Sequence, residues 1–252
     1  MLFDSIVYGP IHSRRLGVSL GVNLMPTDAK LCSFDCVYCE CGWNRPVLHP
    51  LLPTREQVRE ALSSQLSMLK TPLDVITFSG NGEPTMHPDF LGIIQDTCAL
   101  RNQYSPSAKV SVLSNSTQLG RKDVQEALRL CDNRILKLDS AMDATMHLID
   151  QPVNKQLTVD QVVAWLRVFD GDFTLQTCFL RGEYKGKIID NTTPEELEAW
   201  YKVIDQLCPK QVMIYVIDRA TPLKTLEKIP AETMYSIAQV VREKGIDIVV
   251  SV

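Results

Sequence analysis

Four cysteines fall within ten residues, in the run Leu31-Cys32-Ser33-Phe34-Asp35-Cys36-Val37-Tyr38-Cys39-Glu40-Cys41. Three thiolates at C-x3-C-x2-C spacing, Cys32, Cys36 and Cys39, can wrap one side of a compact cluster from a single loop. A four-iron cluster saturated by protein needs four ligands. Three leave one iron open, as catalytic metal sites leave a position for water or substrate. Other readings compete for the same residues. A structural zinc site would add Cys41 or His49 to three of them, Cys41 would saturate an electron-relay cluster, and Cys36 with Cys39 would make a redox dithiol. Cys41 sits only two residues past Cys39, on a loop already committed to the same cluster, which weighs against the relay. The dithiol pair has an extra cysteine on each side.

The remaining cysteines, Cys98, Cys131, Cys178 and Cys208, are scattered among apolar neighbours and are expected as small buried hydrophobes. Crowded cysteines in a chain that starts without signal-peptide features favour metal over disulfides. No apolar stretch is long enough to span a bilayer, so a cytoplasmic protein is expected. With 45% hydrophobic and 22% charged residues, 252 residues can build a large core without crosslinks. The net charge of −4 offers no global basic field for nucleic acid, and Arg14-Arg15 is a candidate for a local patch. His12, His49, His87 and His147 lack ligand-pair spacing and are expected at the surface or in hydrogen bonds; Met86, Met142 and Met146 are expected to pack.

The cysteine loop needs elements to hold it, and apolar periodicity supplies alternating strands and helices. Strands are expected at residues 17–24, 74–78, 110–113, 135–138, 174–180 and 211–217, with a last apolar segment at 246–252. Helices are expected at residues 54–70, 88–102, 121–131, 158–169 and 231–244, and another opening at Thr193-Pro194-Glu195-Glu196. Thr54 with Gln57 matches a capping box, and Thr193, Pro194 and Glu196 stand as N-cap, first-turn proline and capping glutamate. Nearly continuous apolar strands between helices argue for a parallel sheet covered on its outer face. Six or so units are too few for a closed eight-fold barrel. The expected fold is therefore α/β, a partial (β/α)6 TIM-like barrel with mostly parallel strands, ahead of an open doubly wound sheet, in a single domain over residues 1–252.

In barrels, reacting groups gather at the C-terminal strand edges. Gly80-Asn81-Gly82-Glu83-Pro84 falls at one such edge, where glycines let backbone approach a ligand closely; a plain turn would use the same residues. Ser114 and Asn115 end the third strand. Lys137 and Asp139 flank Leu138 on one face of the fourth strand, where, if buried, they need a ligand carboxylate or each other. Gln176 on the fifth strand and Tyr215 or Ile217 on the sixth fall at further strand ends and are candidates for contact with a ligand bound there.

C-x3-C-x-aromatic-C after the first strand resembles the defining motif of the radical S-adenosylmethionine superfamily. The resemblance implies a [4Fe-4S] cluster on Cys32, Cys36 and Cys39, with the cofactor's amino and carboxylate groups on the open iron and Tyr38 beside its adenine. Reductive cleavage would then yield methionine and a 5′-deoxyadenosyl radical that abstracts hydrogen from a substrate. Gly80 to Glu83 resembles the superfamily's glycine–glycine–glutamate motif for the cofactor's amino group, with Asn81 replacing one glycine, and relatives often carry Thr-Asn-Gly where Ser114-Asn115-Ser116 stands. Tyr8-Gly9-Pro10-Ile11-His12-Ser13-Arg14-Arg15-Leu16-Gly17, with Phe78 to Thr85, resembles a small branch grouped with the tRNA wyosine-synthesising proteins. Those carry a second cluster on three upstream cysteines, whereas no cysteine precedes Cys32 here. A single-cluster enzyme is therefore expected, with RNA or protein as possible substrate and an activase of glycyl-radical enzymes as another short relative. The implied electron donor is a flavodoxin or ferredoxin.

Overall fold

The computed structural model describes residues 2–13, 15–45 and 48–252; Arg14, half of the candidate basic pair, lies outside them. Contacts divide the chain into two compact units, Met1–Ser33 with Asn44–Ile135 and Phe34–Trp43 with Leu136–Val252. The cysteine loop is shared: Cys32 belongs to the first unit and Cys36, Cys39 and Cys41 to the second.

The first unit contains β1 (Val7–Ser13), β2 (Gly17–Val22), α1 (Arg55–Met68), β3 (Val75–Phe78), α2 (Phe90–Tyr104), β4 (Lys109–Ser114) and α3 (Lys122–Leu130). β2, β3 and β4 are parallel neighbours, with Val22 opposite Phe78 and Phe78 opposite Val112. Their C-terminal ends therefore share one edge. Every residue of β3 is buried, as expected of a strand covered on both faces. Leu20, Val22, Leu62, Ile76, Phe78, Phe90, Ile93 and Val110 are among the buried side chains of this unit, each worth about 1.5–3 kcal/mol of apolar burial. Thr54 and Gln57 form the predicted capping box of α1.

β5 (Asn133–Lys137) carries the chain from one unit to the other. The second unit contains α4 (Asp143–Asp150), α5 (Val159–Leu166), β6 (Thr174–Tyr184), β7 (Lys187–Asp190), α6 (Pro194–Leu207), β8 (Gln211–Val216), β9 (Glu227–Lys228), α7 (Ala231–Glu243) and β10 (Asp247–Ser251). β6, β8 and β10 pair in parallel, and the far end of β6 pairs antiparallel with β7 and β9. Trp200 is buried edge-on against Phe179, and its indole N–H donates to Thr177 Oγ1 at 3.0 Å. The α/β class with mostly parallel strands is as expected.

Several elements depart from the sequence reading. β1 was not expected: it is antiparallel to β2, largely exposed and interrupted by Pro10 and a register shift, so it shows no apolar period. The eight-residue α4 lacks a side-chain cap. The predicted helix at 158–169 ends as α-helix at Leu166 and tightens into a 3-10 turn through Phe169. Thr193 caps α6 as predicted, but the Glu196 carboxylate accepts from Ser140 Oγ at 2.7 Å instead of closing a capping box. Cys131 and Cys178 are buried as expected, whereas Cys98 is half-buried and Cys208 exposed. Met142 is likewise partly exposed rather than packed. His87 and His147 bond the carbonyls of Pro53 and Leu157, in line with a hydrogen-bonded role.

Candidate cluster and cofactor site

In the first unit, the segment after β3 grips the start of the cysteine loop. Leu31 and Gly82 form an isolated parallel bridge, with the Leu31 N–H donating to the Asn81 carbonyl at 2.9 Å and the Glu83 N–H to the Leu31 carbonyl at 3.2 Å. Gly80 and Gly82 have φ of +142° and +153°, and a Cβ on either would strike Asn23 or Leu31. Close backbone approach is thus a real requirement here. It brings the chain to itself.

Asn81, expected to face a cofactor, is fully buried and committed to the backbone. Its amide oxygen accepts from Phe3 N–H, and its amide nitrogen donates to the carbonyls of Phe3 and Pro26, each at 2.8 Å. The Asn81 side chain is a clip for the N-terminal segment, because a buried amide must spend its donors and acceptors locally.

Glu83 is 2% exposed. Its carboxylate accepts from the Asn115 N–H at 2.6 Å, from the Thr85 hydroxyl at 2.5 Å and from the Thr85 N–H at 3.1 Å. Burial raises its pKa, and these donors work against the rise. Asn115 Nδ2 donates to Ser33 Oγ at 2.9 Å and lies 3.4 Å from Cys32 Sγ. Asn115 Oδ1 accepts from the backbone and hydroxyl of Thr117, and Ser114 Oγ accepts from the Ser116 N–H. Glu83, Asn115 and Cys32 therefore form one bonded set. Ser33, Thr85 and Thr117 complete it without a sequence signal of their own.

In the second unit, α4 fastens the loop on both sides of Cys36. The Asp35 N–H donates to the Asp150 carbonyl and the Val37 N–H to the Ile149 carbonyl, each at 2.9 Å. Val37 is buried with Ile149, Cys178, Leu180 and Ile189, and Tyr38, Tyr215 and Ile217 pack against that cluster. Lys137 Nζ lies 3.2 Å from Cys36 Sγ and 3.1 Å from Asp139 Oδ2, and bonds Asp150 Oδ1. Its ammonium also sits 4.8 Å from the ring centroid of Phe34 and 5.3 Å from that of Tyr38, within cation–π range. Burial works against the charge, but Asp139, Asp150 and Cys36 outweigh it and hold the lysine well above its ordinary pKa.

The Asp139 carboxylate also takes the Tyr38 hydroxyl at 2.5 Å and the Cys178 N–H at 2.9 Å. Tyr38 is thus held by its hydroxyl, which burial first and Asp139 second push well above the usual tyrosine pKa. Lys137 and Asp139 do pair, as one of the two sequence readings had it. Asp150, which completes the pair, escaped notice because no spacing rule links a helix end to a strand thirteen residues earlier. Gln176 is buried with Nε2 3.5 Å from Met213 Sδ.

The thiols of Cys32 in the first unit and of Cys36 and Cys39 in the second are half-buried, and those of Cys32 and Cys36 each face an N–H donor of the kind that tunes iron–sulfur clusters. Among the described residues, no group of three or more His, Cys, Asp or Glu side chains is arranged to hold a single metal ion. A four-iron cluster sets its ligands on different irons and asks for no such convergence. Among the described residues no helix is long and apolar enough to cross a membrane.

No family model matches the chain. It is 29% identical to a UPF0026 protein of Helicobacter pylori over 223 residues, covering 87% of this chain and 68% of that one. It is 32% identical to a UPF0026 protein of Synechocystis, covering 67% and 60%. A Brachyspira hyodysenteriae protein named GTPase Obg matches at 29%, over 90% of this chain and 32% of its own length. This chain has no G-x-x-x-x-G-K-[ST] run, the phosphate-cradling loop of P-loop enzymes, so it carries no GTPase reading from that name.

Among solved structures, SuiB of Streptococcus suis bound to S-adenosylmethionine matches with TM-score 0.65 at 12% identity, over 88% of this chain and 48% of that one; SuiB is also solved with its precursor peptide SuiA. TYW1 with a lysine-pyruvate adduct matches with TM-score 0.63 at 14% identity, over 89% and 73%. The AdoMet-bound anSMEcpe matches with TM-score 0.59 at 13% identity, over 92% and 63%. This chain therefore spans about half the length of SuiB. These neighbours are radical S-adenosylmethionine enzymes, and the partial barrel expected from sequence is the fold they share with this chain.

Proposed function

We propose that the chain is a radical S-adenosylmethionine enzyme. In this reading Cys32, Cys36 and Cys39 hold a [4Fe-4S] cluster with one open iron. The enzyme cleaves the cofactor reductively and uses the adenosyl fragment to take a hydrogen atom from a substrate. The observation that carries the reading is the pair of N–H donors on the motif thiols: Asn115 Nδ2 toward Cys32 and Lys137 Nζ toward Cys36. A reduced cluster on these thiolates would supply the single electron that breaks the cofactor's carbon–sulfur bond.

The chain's own residues do the holding. Gly80 and Gly82 are assigned to backbone contacts with the cofactor, beside the close approach to Asn23 and Leu31 that the fold requires of them. Glu83, kept in place by Asn115 and Thr85, offers a carboxylate toward an amino group. Ser114, Asn115 and Gln176 are assigned to polar contacts with the cofactor. Lys137 and Asp139 act here as supports of Cys36 and Tyr38, and Asn81 as a support of the N-terminal segment. A small flavodoxin or ferredoxin serves as electron donor, a single domain in the cytoplasm suffices, and the substrate is an RNA or a protein.

The test is anaerobic reconstitution with iron and sulfide, followed by reductant and S-adenosylmethionine. Production of 5′-deoxyadenosine is the expected result. A fully loaded cluster that yields none overturns the proposal, and a colourless protein that takes up one zinc replaces it with a binding module.

A further inference from the structure

We infer that Lys137 is a positioning residue for Cys36: it holds an N–H donor on the Cys36 sulfur and thereby raises the reduction potential of the cluster bound there. This rests on the reading of Cys36 as a cluster ligand.

The geometry is a built cage. The Lys137 side chain is 9% exposed, and its ammonium reaches Cys36 Sγ, Asp139 Oδ2 and Asp150 Oδ1, three acceptors for three N–H groups. The rings of Phe34 and Tyr38 flank the same ammonium. Ordering a flexible four-carbon stem costs rotamer freedom, and here anions and rings from separate segments define its end point. α4 links the parts. Its last carbonyls take the N–H groups of Asp35 and Val37, on either side of Cys36, while the Asp150 side chain orients the lysine that meets the Cys36 sulfur. One helix end thus fixes both sulfur and donor.

The electrostatic consequence follows from charge. Reduction adds an electron whose density spreads onto the thiolate sulfurs. An N–H donor there stabilises the reduced form, and hydrogen bonds to the sulfurs are among the factors that set cluster potentials. Asp139 and Asp150 take the other N–H groups of the lysine in a buried site, where an unpaired ammonium would be costly.

The deciding variant is the double change Lys137→Met with Asp150→Asn. It removes the ammonium together with the Asp150 carboxyl group it bonds, so the donor is lost without leaving that carboxyl group unpartnered. The reconstituted protein, without S-adenosylmethionine, is titrated by spectroelectrochemistry with iron and sulfide content measured alongside. At the potential where the unaltered protein is half reduced, the reduced-to-oxidised ratio is expected to fall about tenfold, 59 mV for one electron. Lys137→Gln is the second variant; it leaves amide donors for the two carboxylates should the double change impair folding, and its ratio is also expected to fall. An unchanged ratio in either variant with a full cluster overturns the role of Lys137 and leaves the cluster reading standing. An unaltered protein that assembles no four-iron cluster overturns the cluster reading itself.

Discussion

Leu31 and Gly82 pair as a single parallel bridge, and the residue after Leu31 is the first motif cysteine. A Cβ on Gly82 would lie 1.7 Å from the Leu31 carbonyl oxygen, at a φ of +153°. Backbone cannot yield that distance cheaply. Gly82→Ala is therefore expected to cost about 2–4 kcal/mol through strain and loss of the bridge. Denaturant unfolding measures it, and an unchanged midpoint would mean that the bridge is dispensable.

Asn81→Gly restores the glycine of the resembled motif but strands the N–H and carbonyl of Phe3 and the carbonyl of Pro26. Stability is expected to drop by about 2–4 kcal/mol. Affinity of the reconstituted protein for S-adenosylmethionine, measured by equilibrium dialysis, should stay within about twofold, since that figure is well under the ~1.4 kcal/mol of a tenfold change. A lost affinity at intact stability would return Asn81 to the cofactor.

The cysteines separate by substitution. Cys36→Ala should leave reconstituted protein with little iron and no 5′-deoxyadenosine. Cys41→Ala should keep about four irons per chain, as three ligands suffice in the proposed site. Iron loss on removing Cys41 would favour a saturated relay cluster.

Acid stability reports on Asp132. Burial raises its pKa, but the Val110 N–H and Arg101, each at 2.8 Å, overcome that and hold it below the usual aspartate value. A lowered folded pKa stabilises the fold above the unfolded value of roughly 3.9 and is lost as pH falls through the folded one. Asp132→Asn should melt below the unaltered protein at pH 7, by about 1–2 kcal/mol, and the gap should close toward pH 3. A gap constant with pH would exclude this linkage.

Local pattern decided much of this protein. The capping box at Thr54 and Gln57, the N-cap at Thr193 and the apolar runs that became β3, β4 and β8 were all readable, because capping and strand burial depend on residues near in sequence. The cysteine spacing suggested a metal-binding loop for the same reason. What local pattern did not contain was β1, whose exposed residues and Pro10 carry no period, and α4, short and uncapped. Nor did it show where buried polar groups find partners. Asn81 looked like a ligand-facing turn and proved to be a clip on Phe3 and Pro26; Asp139 proved to hold Tyr38; Asp150 arrived from a helix end to complete the charge around Lys137. Those assignments follow from desolvation, which obliges each buried donor, acceptor and charge to be satisfied by whatever the fold brings near. Residue types and spacing determined which groups could do chemistry, and tertiary packing decided which of them are spent on holding the others.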